Sequence, residues 1–122
     1  MAAEILIGIV DDDLSLRRSL IRLVRSMGYE ARGFASAEEF IEADSFERYS
    51  CIITDIQMPG ISGIELTKFI AASHTKIPVM VVTARSEAAL EQAAIASGAM
   101  CFLRKPIDTD VLVATLMRAL GV

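Results

Sequence analysis

The sequence has 122 residues, which suits one compact domain and argues against a second core of ordinary size. Its 53% hydrophobic and 23% charged residues argue against a disordered chain, and its net charge of -4 argues against direct binding to nucleic acid. No apolar run approaches the roughly 20 residues of a membrane-spanning helix, and no basic segment precedes the first apolar run, so we expect a cytoplasmic protein without membrane contact.

The first part of the chain predicts strands and helices in alternation. Ile5 to Val10 is a short apolar run, typical of a strand that is buried on both faces. The following residues carry leucines on one helical stripe, and Gly28 is a typical residue at the end of that helix. Glu30 to Phe34 is more polar, as strands at a sheet edge are. Ser36 and Glu39 then fit a capping box at the start of a second helix.

The rest of the chain repeats this pattern three more times. Strands are predicted over Cys51 to Thr54, Val79 to Thr83 and Met100 to Leu103. Helices are predicted to follow the N-cap residues Ser62, Ser86 and Asp108, with Glu65 completing a capping box and Leu120 ending the last helix. Strict alternation with short connections predicts an α/β fold, a doubly wound five-stranded parallel sheet with five helices.

The two cysteines of the sequence lie in apolar runs. Cys51 begins the run SCII, and Cys101 lies in MCFL. Neither belongs to a CxxC motif or to a Cys/His cluster. We therefore expect both thiols to be small buried hydrophobic groups.

Charged and polar side chains follow the predicted strands at their carboxyl ends, which is where open α/β sheets bind their ligands. They are Asp11, Asp12 and Asp13 after the first strand, Asp55 after the third, Thr83 at the end of the fourth and Lys105 after the fifth. Carboxylates in one cleft repel one another unless a cation neutralises them. Mg²⁺ favours such oxygen ligands and completes its shell with water and phosphate oxygens, and Mn²⁺ is expected to substitute. The pattern predicts a divalent-cation site that receives a phosphorylated partner.

The turn after the first strand reads VDDDLS and contains no glycine. Neither a GxGxxG fingerprint nor a Walker lysine loop is present, which argues against a nucleotide ligand. A single phosphoryl group held between Mg²⁺, the Lys105 ammonium and the Thr83 hydroxyl fits these residue types. Aspartate can accept such a group as an acyl phosphate when a metal offsets the repulsion between anions. Its position makes Asp55 the candidate phosphoacceptor.

Four segments of the chain resemble the receiver domain of two-component response regulators. They are VDDD at 10–13, TDIQMPGISG at 54–63, VTA at 82–84 and RKP at 104–106. The resemblance spans essentially the whole chain, and the segments ASAEEF and MPGISGIEL resemble the FixJ group in particular. It implies a flavodoxin-like strand order of 2-1-3-4-5 and a single receiver domain over residues 1–122. It also implies a place in a phosphorelay that controls an output, which in the FixJ group is transcription.

The resemblance implies a role for each residue at the strand ends. Asp55 matches the phosphoacceptor, and Lys105 would pair with the phosphoryl oxygens and precede a cis peptide bond to Pro106. The implied metal ligands are Asp12, Asp55 and the backbone carbonyl of Gln57, with Asp11 acting mainly through bound water. Asp13 is explained more simply as a helix N-cap, although a register shifted by one residue would place it in the site.

The resemblance also implies residues that respond to the phosphoryl group or set its lifetime. In the family the Thr83 hydroxyl moves toward the phosphoryl oxygens, and an aromatic residue, here Phe102, swings inward to fill the vacated space. A permanently buried core phenylalanine is the alternative. Gln57 and Arg85 resemble the variable sites that modulate acyl-phosphate hydrolysis, and a solvated loop charge explains Arg85 equally well.

The partners implied are a sensor histidine kinase or a phosphotransfer protein, and an output domain or homodimer that uses the fourth helix, fifth strand and fifth helix. The basic residues of the first helix could contact the phosphodonor, but a solvated face is the simpler interpretation. These residues are Arg17, Arg18, Arg22 and Arg25.

A rival function from another class is a Mg²⁺-dependent aspartyl phosphohydrolase. Asp11 and Asp13 would be its nucleophile and acid in DxD spacing. That function leaves Asp55 unexplained, and 122 residues are short for such an enzyme. We therefore expect a phosphoacceptor whose only reactions are self-phosphorylation from a donor and slow autodephosphorylation.

Overall fold

Strands and helices alternate through the computed structural model, which describes residues 4–43, 48–73, 76–84 and 87–122. In chain order they are β1 (Leu6–Val10), α1 (Leu14–Ser26), β2 (Glu30–Phe34), α2 (Ala37–Glu42), β3 (Cys51–Asp55), α3 (Gly63–Ala72), β4 (Val79–Thr83), α4 (Ala88–Ala96), β5 (Cys101–Arg104) and α5 (Thr109–Leu120). The predicted alternation is confirmed. None of the helices within the described ranges is long and apolar enough to cross a membrane.

The strands form one parallel sheet in the order β2-β1-β3-β4-β5, as the resemblance implied. β1 is an inner strand of the sheet, paired with β2 on one side and with β3 on the other. Strand order reverses between β1 and β3, and open α/β sheets bind ligands beside the carboxyl ends of their strands at such a point. The topology therefore places the end of β1 and the end of β3 side by side at the expected binding edge.

Helices cover both faces of the sheet, so β1, β3 and β4 are buried at every position. On one face, α2, α3 and α4 contribute Phe40, Leu66, Ile70 and Ala94 to a cluster with Ile52 and Val81. On the other face, α1 and α5 contribute Leu20, Val24, Leu112 and Leu116 to a cluster with Ile7, Ile9 and Ile53. We call these the α3–α4 side and the α1–α5 side of the sheet.

Side chains at the helix starts satisfy backbone N–H groups that have no partner within the helix. The Ser62 hydroxyl accepts from the Glu65 backbone and the Glu65 carboxylate accepts from the Ser62 backbone, so this capping box is confirmed. Asp108 caps α5 as predicted, and the Ser36 hydroxyl caps α2 by accepting from the Glu39 N–H, without the return bond from the Glu39 carboxylate that a full capping box requires. Ser86 lies outside the described residues, and Glu87 occupies the N-cap position of α4 without a side-chain capping bond.

The two thiols differ in environment, because Cys51 is fully buried whereas Cys101 is half-buried. Burial raises the pKa of the Cys51 thiol to about 12. At pH 8 roughly one Cys51 in 10⁴ would be a thiolate, the reactive form. We expect a thiol reagent to modify Cys101 in the folded protein and Cys51 only when the sheet opens. We expect a fast and a slow phase of thiol modification, and timed labelling of the Cys51→Ser and Cys101→Ser variants assigns each phase to one cysteine. Equal modification rates of the two cysteines under native conditions would contradict this expectation.

Candidate functional site

Three carboxylates meet where β1 and β3 end at the same edge of the sheet. Asp11 follows β1 directly, and Asp55 is the last residue of β3. One carboxylate oxygen from each of Asp11, Asp12 and Asp55 lies within 4.8 Å of the others. Asp11 is 1% exposed and Asp55 is 6% exposed, whereas Asp12 faces solvent. Two carboxylates of the cluster are therefore buried, and the third is open to solvent.

The Lys105 ammonium lies between the two buried carboxylates. Its Nζ atom is 3.1 Å from Asp11 Oδ2 and 3.3 Å from Asp55 Oδ2. Lys105 reaches this position because its backbone N–H donates to the Thr83 carbonyl and extends the pairing of β5 with β4. The peptide bond between Lys105 and Pro106 is cis, as expected.

The electrostatics of Asp55 and Lys105 follow from this arrangement. Burial and the neighbouring Asp11 charge raise the pKa of Asp55, although Lys105 and the Gln57 backbone N–H act in the opposite direction. Burial acts to lower the pKa of Lys105, but its hydrogen bonds and charge interactions with Asp11 and Asp55 raise it overall. The site thus holds more negative charge than its own ammonium neutralises.

The donor set fits a hard divalent cation. All three clustered ligand atoms are carboxylate oxygens, the type of ligand that Mg²⁺ prefers. Three carboxylates and one ammonium leave an excess of two negative charges, which one divalent cation neutralises. Because Asp12 is exposed, water or phosphate oxygens have room to fill the remaining coordination positions of such a cation.

Asp13 lies outside this cluster and caps α1. Its Oδ1 atom accepts from the Leu16 backbone N–H at 3.2 Å, so the N-cap prediction is confirmed. The Asp13 backbone N–H donates to Asp11 Oδ1 at 2.9 Å and fixes the Asp11 carboxylate. The alternative register, with Asp13 in the site, does not match this geometry.

Thr83 and Phe102 lie on the opposite side of the sheet from the charged residues. Side chains alternate between the two faces along a strand. Asp11, Asp55 and Lys105 each follow by two residues a side chain that packs on the α1–α5 side, so they belong to that side. Thr83 continues the positions that face the α3–α4 side, and Phe102 is paired with Val81 on that side. Thr83 is buried at the strand end, whereas Phe102 is half-buried against the core.

The loop between β3 and α3 carries two contacts that the sequence analysis missed. Glu38, from α2, accepts from the Ile61 backbone N–H at 3.3 Å through Oε2, while its Oε1 is buried without a hydrogen bond among the described residues. Gly60 has a φ of 79° and lies against this carboxylate. The glycines of the segment MPGISG were a signal for special backbone geometry, but nothing in the sequence indicated Glu38.

Gly63 makes the second of these contacts at the start of α3. Its N–H donates to the Ile56 carbonyl at 2.9 Å. A Cβ atom at this position would lie 2.8 Å from the Asp55 carbonyl carbon and closer still to its oxygen. Only glycine therefore lets α3 begin directly against the backbone of Asp55.

The residues expected to modulate the site are only partly described. Gln57 is exposed, two positions beyond Asp55. Arg85 lies outside the described residues. A mostly apolar cavity of about 400 Å³ opens beside Lys105 between α1 and α5, lined by residues that include Leu16, Leu20 and Ile107.

Comparison with known proteins agrees with this geometry. Residues 7–117 match the family model described as the response regulator receiver domain. The transcriptional regulatory protein FixJ of Bradyrhizobium diazoefficiens is 34% identical over 114 residues, covering 93% of this chain and 56% of that protein. FixJ of Azorhizobium caulinodans is 36% identical over 121 residues, covering 99% of this chain and 57% of that protein. The chain therefore spans about half the length of these curated relatives.

The fold is also found among solved structures. The crystal structure of a response regulator receiver protein from Burkholderia phymatum aligns with a TM-score of 0.85 at 36% identity. The alignment covers 98% of this chain and 97% of that chain.

Proposed function

The chain belongs to the response regulator receiver domain family of two-component signalling, and we propose that it accepts a phosphoryl group on Asp55 in a Mg²⁺-dependent reaction. The observation that carries the proposal is the position of Asp55. Its carboxylate contacts the Lys105 ammonium and lies within 4.8 Å of ligand oxygens of Asp11 and Asp12. We assign this role to a single phosphoacceptor domain over residues 1–122.

In the proposed reaction, an Asp55 carboxylate oxygen forms a bond to the phosphorus of the donor. The bond between phosphorus and the donor nitrogen or oxygen breaks, and its electron pair leaves with the donor. The Lys105 ammonium, already 3.3 Å from Asp55 Oδ2, donates to the phosphoryl oxygens. The product is an acyl phosphate, which water slowly hydrolyses. Gln57 and Arg85, two positions beyond Asp55 and Thr83 in the sequence, modulate that hydrolysis in this proposal.

The metal site in this proposal uses Asp12, Asp55 and the backbone carbonyl of Gln57 as direct ligands, with Asp11 acting through water. Bound Mg²⁺, or Mn²⁺ in its place, offsets the repulsion between the carboxylates and the incoming phosphoryl oxygens. Asp11 is fixed by Lys105 and by the Asp13 backbone, so it orients water without having to move.

The proposed signal is a movement on the α3–α4 side of the sheet. The phosphoryl group on Asp55 offers new acceptor oxygens to the Thr83 hydroxyl at the neighbouring strand end. Movement of Thr83 leaves space on the side where Phe102 is half-buried. Phe102 then packs inward, and the exposed surface of α4, β5 and α5 changes for an output domain or a second copy.

The proposed phosphodonor is a sensor histidine kinase or a phosphotransfer protein. The apolar cavity between α1 and α5 opens beside Lys105, which suits a protein donor that must bring its phosphohistidine to Asp55. The similarity to FixJ proteins supports transcription as the controlled output.

The hydrolase alternative is not favoured. It requires Asp13 as an acid in the site, but Asp13 is bonded to the Leu16 N–H outside the carboxylate cluster. The family match over residues 7–117 also points to a signalling domain.

Intact mass spectrometry after incubation with a small phosphodonor and Mg²⁺ tests the proposed function. We expect one phosphoryl adduct on the protein and none on Asp55→Ala or in the presence of a chelator. Asp13→Ala is the matched control, because this aspartate lies next to the cluster but outside it, and it should still form the adduct. An adduct that survives Asp55→Ala but disappears with Asp11→Ala would support the hydrolase.

A further inference from the structure

We propose that Arg17 is a positioning residue that fixes the peptide joining Asp11 to Asp12 and so holds the Asp12 carboxylate where it meets a divalent cation. The inference rests on the proposed cation site. It concerns a residue of α1 that touches neither the cation nor the phosphoryl group.

The first observation is a short, charge-assisted hydrogen bond. Arg17 Nη1 donates to the Asp11 backbone carbonyl at 2.7 Å. This carbonyl belongs to the peptide that leads into Asp12. The expectation of a solvated arginine face is therefore wrong for Arg17, whereas Arg18 beside it is exposed.

The second observation is that Asp12 depends on its backbone for its position. The Asp11 N–H donates to the Phe34 carbonyl at 3.0 Å, and the Asp11 carboxylate is held by Lys105 and the Asp13 N–H. Within the described part of the chain, the exposed Asp12 side chain makes no hydrogen bond. Arg17 supplies the remaining restraint on the turn from which Asp12 projects.

The third observation explains how Arg17 reaches this carbonyl. Its aliphatic stem lies across β2 at Gly33, where a Cβ atom would be 3.0 Å from both Cγ and Cδ of Arg17. The same Cβ atom would lie 2.8 Å from Ile21 Cδ1. Gly33 thus provides the space through which the arginine passes from α1 to the end of β1.

Two effects of Arg17 on cation binding have opposite signs. Its positive charge close to the carboxylates weakens the attraction of a cation. Its hydrogen bond keeps Asp12 in place and strengthens binding, as groups that orient metal ligands do. The sign of the change on removing Arg17 therefore distinguishes a positioning role from a purely electrostatic one.

The test measures Mg²⁺ affinity of the full chain by titration calorimetry and by the rise in Tm with Mg²⁺ concentration. Arg17→Met should raise the Mg²⁺ Kd by about tenfold, at the low end of the losses seen for groups that orient metal ligands. Arg18→Met is the matched control, since it removes the same charge without the hydrogen bond, and its Kd should stay the same or fall. Arg17→Lys keeps a donor and the charge and should restore most of the affinity.

The Gly33→Ala variant provides a second test of the positioning role and removes no charge. It displaces the Arg17 stem and should also raise the Mg²⁺ Kd, which keeps the test open if Arg17→Met does not fold. An unchanged or lower Kd in folded Arg17→Met would overturn the positioning role. Failure of the unmodified protein to bind Mg²⁺ would instead overturn the proposed cation site.

Discussion

Replacing Lys105 by methionine is expected to destabilise the folded protein by about 3–5 kcal/mol at pH 7 without divalent cations, because removal of one partner leaves buried charges uncompensated. The Lys105 ammonium contacts both Asp11 and Asp55, whose side chains are 1% and 8% exposed. Methionine fills similar space but offers no charge, so the two carboxylates repel each other across the β1 and β3 ends. Urea unfolding in the presence of a chelator measures the loss.

The pH dependence of this loss has a definite sign. Burial and Asp11 already raise the pKa of Asp55, and removal of the ammonium raises it further. A folded-state pKa above the unfolded value of about 3.9 means that stability is lost as the pH rises through the folded pKa. The destabilisation should therefore be smaller at pH 5 than at pH 7.5, and adding Asp55→Asn to the variant should recover much of it. Equal losses at both pH values would contradict the ion-pair explanation.

Replacing Gly63 by alanine is the second change with a large expected effect. The new Cβ atom would meet the Asp55 backbone, which cannot move aside as a flexible side chain can. We expect a loss of at least about 3 kcal/mol, the upper end of the usual cost of overpacking. The displaced Asp55 should also form its phosphoryl adduct more slowly. Chemical unfolding and timed mass spectrometry measure the two effects.

Gly28→Ala is the matched control for this prediction. Gly28 has a φ of 89°, and a Cβ atom there would have no neighbour within 4 Å. Its replacement should cost only about 1 kcal/mol, the strain of a left-handed backbone. Similar losses for the two variants would mean that the contact with Asp55 is not the cause.

Much of the fold follows from local patterns that depend on short stretches of sequence. Apolar runs such as Val79 to Thr83 have no alternation because helices cover both faces of the sheet. The positions of Asp11, Asp55 and Lys105 could be predicted as one cluster because the carboxyl ends of parallel strands share an edge.

The missed features join elements that are distant in sequence. The contact from Glu38 to Ile61 spans 23 residues, and no periodicity indicates which acidic residue of α2 reaches the β3–α3 loop. Arg17 lies beside the apolar stripe of α1, so its direction depends on the space at Gly33 in another strand. Such contacts depend on side-chain packing between elements, which the sequence pattern does not contain.

Phe102 lies on the opposite side of the sheet from Lys105, but α5 belongs to both of the proposed protein-binding surfaces. Lys105 and the adjoining cavity lie toward α1 and α5, whereas Phe102 packs toward α3 and α4. The donor would occupy the cavity that α5 helps to line, and the target would contact α4, β5 and α5. A donor and a target that both contact α5 would therefore compete, so we expect the target to bind only after the donor has left.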